Sequence, residues 1–285
     1  MSGLAPWLNL VRFSHSIFAL PFALCGAWLA AGGPPPLFDL LLIVLCAVSA
    51  RTAAMGFNRL VDRHIDRRNP RTAARELPAG VLTPLAVGAL VLFSSALFFL
   101  GAFALNPLAG YLATPVLAVL LGYSLVKRFH WCAHGVLGLA LALAPLGAWV
   151  AVRGAVDGDA WPVLTLALAV WTWVAGFDLI YACQDADFDR GAGLHSIPGR
   201  FGVAAALSAS AALHVVTVVA LLGTAFLAGL GLPFLVALAL ASALLVWEHR
   251  LVRPDDLSRV DAAFFTINGW VSVALFLGLA LDLAL

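Results

Sequence analysis

The sequence predicts an all-α integral membrane protein built as a bundle of about nine transmembrane helices. Three properties of its 285 residues predict this: 63% are hydrophobic, 11% are charged, and the mean hydropathy is +1.01. Soluble domains are about half apolar and about a quarter charged, so the composition excludes a water-soluble domain and a disordered chain. The formal net charge of +1 argues against a nucleic-acid partner, because such proteins carry a strong basic excess.

Hydropathy divides the chain into apolar stretches that are each long enough for a transmembrane helix. Helices are expected there because backbone polar groups in lipid must be satisfied within the segment. The Gly-Pro run at 32–36 closes the first stretch, and Asn106–Pro107 separates the third from the fourth. The expected limits are 13–31, 37–57, 84–104, 107–126, 134–152, 161–182, 203–228, 232–248 and 262–284. Residues 1–285 are expected to form a single domain.

Charge placement predicts the orientation. With a cytoplasmic N-terminus, the connections that lie inside are 58–83, 127–133, 183–202 and 249–261. Together with the N-terminal segment, they hold 14 of the 16 basic residues, which the positive-inside rule assigns to the cytoplasm. The acidic clusters lie on the same side, so we expect a multi-pass protein of the cytoplasmic membrane with its active site on the cytoplasmic face.

The first polar cluster is NRLVDRHID, which places Asn58, Asp62 and Asp66 four residues apart. On a helix these positions lie within about 80° of one another, so three oxygen-bearing side chains share one face. Crowded carboxylates repel one another unless a cation lies between them. Mg²⁺ binds one or two carboxylates together with substrate phosphates, so the spacing indicates a magnesium site.

The second polar cluster is DLIYACQDADFD, at the end of the sixth apolar stretch. Asp178, Asp185 and Asp189 are expected within about 40° of one helix face, with Tyr181 close to it. A carboxylate inside an apolar stretch costs about 2.5–3.5 kcal/mol, which marks Asp178 as functional. A solvated helix end would explain one cluster alone equally well, whereas two clusters on one membrane side favour a site.

Basic side chains surround both acidic clusters. They are Arg67, Arg68, Arg71 and Arg75 after the first cluster, Lys127 and Arg128 after the fourth stretch, and Arg190, His195 and Arg200 after the second cluster. Acidic helices with converging cations fit a diphosphate bound through Mg²⁺. The apolar wall around them would hold a lipid tail, which indicates a polyprenyl diphosphate substrate.

These motifs resemble those of the UbiA superfamily of intramembrane prenyltransferases. The similarity rests on NxxxDxxxD at 58–66 and DxxYxxxDxxxD at 178–189, and covers nearly the whole chain through RFSHSIFALPF, NPRTAARELPAG, KRFHW and LHSIPGRFG. Within the superfamily the chain is most similar to the 4-hydroxybenzoate polyprenyltransferase group. NPRTAARELPAG and ACQDADFDRGAGLHSIPGRFG look closest to its MqnP branch, associated with futalosine-route menaquinone synthesis and with prenylation of 1,4-dihydroxy-6-naphthoate.

The resemblance implies roles for the matching residues. Metal and diphosphate would be bound by Asn58, Asp62, Asp66, Asp185 and Asp189, with further diphosphate contacts from Arg71, Arg75, Lys127, Arg128 and His195. Where many 4-hydroxybenzoate enzymes have lysine before serine, this chain has His195 before Ser196, which modestly favours the naphthoate branch.

The remaining expected residues act on the acceptor. Asp178 is expected to orient or deprotonate its phenol, and Tyr181 to help hold the cation or the diphosphate. Arg51 lies two turns before Asn58, so it is expected near the same face and could pair with the acceptor's carboxylate. Arg12 is a further candidate for that pairing.

The expected reaction is Mg²⁺-dependent transfer of a polyprenyl group to a ring carbon of 4-hydroxybenzoate or 1,4-dihydroxy-6-naphthoate in respiratory quinone biosynthesis. Alternatives are another transfer of this type, onto haem or another quinone precursor, and a polytopic transporter. A transporter places its coupling residues near the bilayer midplane, whereas here all the acids except Asp178 lie at one interface. A CDP-alcohol phosphotransferase is disfavoured because its DG..AR string is missing.

Overall fold

The computed structural model describes residues 3–11, 16–156 and 158–285, with the backbone alone at residues 16 and 17. In this part of the chain, 8 helical segments are long and apolar enough to cross a membrane. A further apolar helix, Ser16–Ala31, is shorter. The predicted fold class, an all-α membrane bundle of about nine helices, is therefore confirmed.

The helices are numbered in chain order. They are α1 (Ala5–Leu10), α2 (Ser16–Ala31), α3 (Leu37–Arg68), α4 (Pro84–Leu105), α5 (Pro107–Val126), α6 (Ala133–Arg153), α7 (Trp161–Ala182), α8 (Ala186–Ala192), α9 (Ile197–Phe201), α10 (Val203–Ala228), α11 (Leu232–Leu251) and α12 (Asn268–Asp282). A π-helix, Ala262–Ile267, leads into α12. Helices α5, α7 and α10 begin and end where the hydropathy predicts.

Helix α3 continues well beyond the predicted limit at residue 57. Its 32 residues, at about 1.5 Å each, extend over about 48 Å, which exceeds the roughly 30 Å of bilayer hydrocarbon. Its last turns therefore project beyond the hydrocarbon and carry Asn58, Asp62 and Asp66 on an unbroken helix. The common face predicted for these three residues rests on that continuity.

The second acidic cluster does not lie on one regular helix, so that part of the prediction is wrong. Helix α7 ends at Ala182, a 3₁₀ turn spans Cys183–Asp185, and α8 starts at Ala186. A 3₁₀ turn has three residues per turn and redirects the side chains that follow it. Asp185 consequently points to the loop after α3, where Asn69 and Arg71 donate hydrogen bonds to it.

Helix α7 is the buried centre of the bundle and packs against α6 and α10. Glycine permits this close approach on both sides: a Cβ at Gly138 would lie 2.4 Å from the Trp171 carbonyl oxygen, and one at Gly176 would lie 2.4 Å from His214 Nε2. Small residues let membrane helices approach in this way. The indole of Trp171 also donates to the Gly135 carbonyl at 2.8 Å, which fixes the start of α6 against α7.

Candidate active site

A cavity of about 280 Å³ lies where α3, α5 and α7 end and α6 begins. Its wall combines both acidic clusters with basic side chains from three connections. Of the residues expected from the sequence, it contains Arg51, Asn58, Asp62, Asp66, Arg71, Arg75, Lys127, Asp178, Tyr181, Asp185, Asp189 and His195. The chain thus brings together, in one place, residues that are up to 144 positions apart in sequence (195 − 51).

Of the other two expected residues, the structure describes only Arg128. Arg128 is absent from the lining of the cavity; its Nη2 instead donates to the Val61 carbonyl oxygen at 2.7 Å and to Asp62 Oδ1 at 3.0 Å. Its contact with the described wall is through Asp62. Arg12 lies outside the described residues.

Asp62 is the most enclosed acid of the first cluster, at 2% exposure. Lys127 Nζ lies 2.8 Å from its Oδ2, while Arg128 holds Oδ1. Asn58 Nδ2, one turn earlier on α3, donates to Oδ2 at 3.3 Å. These contacts join the end of α3 to the end of α5 and compensate a buried negative charge with two cations.

Asp66 is paired with the loop that follows α3. Arg75 Nη1 donates to its Oδ1 at 2.8 Å, and Thr72 Oγ1 donates to its backbone carbonyl at 3.0 Å. Its other oxygen, Oδ2, is buried and has no hydrogen-bond partner among the described residues. A buried carboxylate oxygen without a donor is unfavourable, so this atom can accept a cation.

Asp185 joins the second cluster to the same loop. Asn69 Nδ2 and Arg71 Nε each lie 2.9 Å from its Oδ1, and Arg71 Nη2 contacts Oδ2. Arg71 Nη1 donates to the Tyr181 hydroxyl at 2.8 Å. Burial lowers the pKa of the Arg71 guanidinium, but Asp185 and Tyr181 together raise it by more, so the net pKa lies above its usual value. Arg71 therefore stays a cation beside the acids.

Asp178 has a partner that sequence reasoning did not identify. His134, at the start of α6, has its Nδ1 2.7 Å from Asp178 Oδ2, and both residues line the cavity. An ionised carboxylate can only accept, so Nδ1 is the donor in that state. His134 is the first residue of the predicted stretch 134–152, so the criterion applied to Asp178, an ionisable side chain within an apolar stretch, did not mark it.

The loop after α8 closes the cavity from the other side. The backbone N–H of His195 donates to the Lys127 carbonyl oxygen at 2.8 Å, which joins this loop to the end of α5. Ser196 then caps α9 by accepting from the Gly199 N–H at 3.2 Å. Asp189 and His195 both face the cavity, and His195 Nδ1 is buried without a hydrogen-bond partner in the described ranges.

The donor chemistry fits Mg²⁺ held jointly with a phosphate ligand. Among the described residues there is no group of three His, Cys, Asp or Glu side chains that could hold a metal by itself. Mg²⁺ does not need one, because it commonly uses one or two carboxylates, waters and substrate phosphates. The Oδ2 atom of Asp66, which has no hydrogen-bond partner among the described residues, could provide such a carboxylate ligand.

Comparison with known proteins agrees with this geometry. A model of the UbiA prenyltransferase family matches residues 19–270. The 4-hydroxybenzoate octaprenyltransferase of Aromatoleum aromaticum is 32% identical, over 99% of this chain and 95% of its own length. Its namesake from Pseudomonas aeruginosa (strain UCBPP-PA14) is 34% identical, over 98% of this chain and 94% of its own length.

Two solved structures share the fold. The apo structure of a UbiA homologue from Aeropyrum pernix has a TM-score of 0.86 and 37% identity, over 94% of this chain and 98% of that one. A UbiA homologue from Archaeoglobus fulgidus, bound to GPP and Mg²⁺, has a TM-score of 0.73 and 20% identity, over 98% of this chain and 100% of that one.

Proposed function

The chain belongs to the UbiA prenyltransferase family, and we propose that it transfers a polyprenyl group from a polyprenyl diphosphate to a ring carbon of a hydroxylated aromatic carboxylate. Family membership makes it a prenyltransferase and removes the transporter alternative. The observation that carries the proposal is the single cavity in which two acidic clusters face Arg71, Arg75 and Lys127. We propose respiratory quinone biosynthesis as its setting.

The diphosphate would lie between the two acidic clusters. Asn58, Asp62, Asp66, Asp185 and Asp189 would hold Mg²⁺, and Arg71, Arg75, Lys127 and His195 would contact the phosphate oxygens directly. When bound, Mg²⁺ supplies neutralisation of the negative charge that develops on the leaving group. The present pairs of Asp66 with Arg75 and of Asp185 with Arg71 would then open, because each guanidinium offers phosphate the same forked donor geometry.

Transfer itself requires an acceptor poised for attack and a group that takes its proton. We propose that Asp178 orients or deprotonates the phenolic hydroxyl, since it lies in the cavity wall at the end of the apolar stretch. His134 would hold the carboxylate in place through Oδ2. Tyr181 would help hold the diphosphate through Arg71. Arg51, deeper on α3 in the same wall, would pair with the acceptor's carboxylate.

Two acceptors remain under this proposal. The names of the relatives from Aromatoleum and Pseudomonas favour 4-hydroxybenzoate. His195 before Ser196, where many hydroxybenzoate enzymes have lysine, favours 1,4-dihydroxy-6-naphthoate and hence menaquinone synthesis. His195 lies in the cavity wall, so the substitution concerns the site itself.

We further propose that the whole chain, 1–285, is one multi-pass domain of the bacterial cytoplasmic membrane. The cavity opens where the basic connections cluster, and the positive-inside rule assigns that end to the cytoplasm. Membrane lipid would surround the bundle and deliver the polyprenyl substrate. Topology would be tested by labelling single cysteines placed in the 69–83 and 154–156 connections of intact spheroplasts.

The function is tested with the purified protein in detergent. The protein is incubated with Mg²⁺, radiolabelled geranyl diphosphate and one of the two acceptors. We expect EDTA to abolish product formation. Product on 4-hydroxybenzoate alone supports ubiquinone-type synthesis, and product on the naphthoate alone supports menaquinone synthesis and the interpretation of His195. Absence of prenylated product on both would contradict the aromatic-carboxylate proposal and point to another acceptor, such as haem.

A further inference from the structure

A second polar network lies behind the cavity, entirely inside the helix bundle. Glu248 on α11 and Asn268 on α12 are each 0% exposed, and Trp173 on α7 is 1% exposed. Trp173 Nε1 donates to Asn268 Oδ1 at 2.7 Å, and Asn268 Nδ2 donates to Glu248 Oε1 at 2.8 Å. Polar and ionisable groups buried in a membrane protein are energetically costly and usually have a function. None of these three residues lines the reaction cavity.

Asn268 follows the π-helix directly and is the first residue of α12. Its Nδ2 lies 3.2 Å from the Ala263 carbonyl oxygen and 3.3 Å from that of Phe264, so the amide satisfies backbone acceptors inside the π-helix. A π-helix is rare and occurs often at functional sites. The Glu248–Asn268–Trp173 network therefore contacts the π-helix through the side-chain amide of Asn268.

The π-helix places one aromatic ring in the cavity wall. Phe264, in the middle of the π-helix, has its ring centroid 4.3 Å from that of Tyr181 and 5.2 Å from that of Phe177. The ring centroid of Phe18 lies 5.6 Å from that of Phe264. All four rings line the cavity. Tyr181 in turn accepts from Arg71, so this aromatic wall adjoins the cation that binds Asp185.

We propose that Asn268, held by Glu248 and Trp173, is a positioning residue that fixes Phe264 in the aromatic wall and thereby keeps water from the reacting carbon. The inference rests on the proposed prenyl transfer. There, the C1–O bond breaks and the diphosphate leaves with the electron pair. The allylic carbon then bonds to the acceptor ring, which loses a proton. Water can compete for the same carbon; it then loses a proton and gives a prenyl alcohol.

The aromatic wall suits this protective role for two reasons. Aromatic faces attract cations, so Phe264 and Tyr181 would favour the developing allylic cation. A closed apolar wall also excludes water from a reactive intermediate. If the π-helix relaxed to a regular helix, the residues before Asn268 would rotate about the helix axis, and Phe264 would leave its place beside Tyr181.

The test measures the fraction of consumed geranyl diphosphate that is recovered as geraniol rather than as prenylated acceptor. A displacement of about 1 Å at a reacting centre can change rates by about 10²-fold, so we expect Asn268→Leu and Glu248→Leu to raise the geraniol fraction by about tenfold. Glu248→Gln keeps an acceptor oxygen for Asn268. We therefore expect its geraniol fraction to be close to that of the unmodified protein. Phe264→Leu should reproduce the leak while leaving the side chains of Glu248, Asn268 and Trp173 in place.

Thr217→Val provides the matched control. It breaks a buried hydrogen bond of 2.8 Å between Thr172 and Thr217, inside the same bundle but away from the π-helix. We expect its thermal stability in detergent to fall without a change in the geraniol fraction. A folded Asn268→Leu protein with an unchanged fraction would overturn the inference, as would Glu248→Gln leaking as much as Glu248→Leu.

Two further outcomes remain decisive. Should Asn268→Leu fail to fold, Phe264→Leu carries the test, and an unchanged geraniol fraction in that variant overturns the inference. Should the original protein prenylate neither aromatic acceptor, the proposed function fails by itself. The rate of geraniol formation without an acceptor then tests the shielding, and equal rates in the original protein and in Phe264→Leu would overturn it.

Discussion

The pair formed by Asp178 and His134 makes a prediction whose size follows from the structure. His134→Leu removes the Nδ1 donor that lies 2.7 Å from Asp178 Oδ2. The side chains are 7% and 21% exposed, so water replaces the lost donor poorly. Hydrogen bonds to charged groups contribute about 1.5–3 kcal/mol. At about 1.36 kcal/mol per tenfold in rate, we expect kcat to fall by about 10- to 100-fold.

Single-turnover transfer to saturating aromatic acceptor is the suitable assay, because it isolates the chemical step from product release. The KM for prenyl diphosphate should change little, since His134 contacts Asp178 rather than the diphosphate cations. Asp178→Asn keeps the shape of the side chain but not its basicity, so it should lose more activity than His134→Leu. His64→Gln, on an exposed position of α3 outside the cavity wall, is the control histidine.

Two results would refute this reasoning. A folded His134→Leu protein with the same kcat as the unmodified protein would show that the contact does not serve the chemical step. A defect confined to the KM for prenyl diphosphate would place His134 in diphosphate binding instead. Thermal unfolding in detergent has to accompany both measurements, because the pair also joins α6 to α7.

Three other predictions follow from the same structure. Asp62→Ala and Asp185→Ala should each abolish transfer, measured with radiolabelled substrate, while gel filtration in detergent shows a folded protein; full activity in either variant would remove the metal-site proposal. Chelation by EDTA should stop transfer and an excess of Mg²⁺ should restore it, whereas transfer that persists in EDTA would contradict the divalent-ion requirement. Gly138→Ala should lower the stability in a thermal melt by about 1–3 kcal/mol, because the new Cβ would lie 2.4 Å from the Trp171 backbone oxygen. Gly147→Ala, with open space in the same helix, should be neutral or stabilising, and equal losses in both would contradict the packing argument.

The sequence predicted the first acidic cluster correctly because its geometry depends on one helix alone. Asn58, Asp62 and Asp66 are four residues apart, and α3 is continuous through all of them. The second cluster was predicted less well. The 3₁₀ turn at Cys183–Asp185 interrupts the helix, and Asp185 is bonded to Asn69 and Arg71, more than a hundred residues away, which no local pattern reveals.

The sequence predicted least well which residues on different helices contact one another. Arg128 has the charge expected of a diphosphate ligand, yet its guanidinium reaches the Val61 carbonyl and Asp62. His134 and Asn268 were missed because each acts across a helix–helix contact, the first on α7 and the second on α7, α11 and the π-helix. Hydropathy predicts that a segment spans the membrane but does not predict which face meets which neighbour.

The measurement that most directly tests the central proposal is a structure of the protein with Mn²⁺ in place of Mg²⁺ and an unreactive geranyl thiolodiphosphate. Our account predicts an anomalous peak between Asp66 and Asp185 at roughly 2.0–2.3 Å from a carboxylate oxygen, with phosphate oxygens as further ligands. It also predicts that Arg71 and Arg75 turn from their carboxylates to the diphosphate. A metal or diphosphate bound outside this cavity would contradict the account.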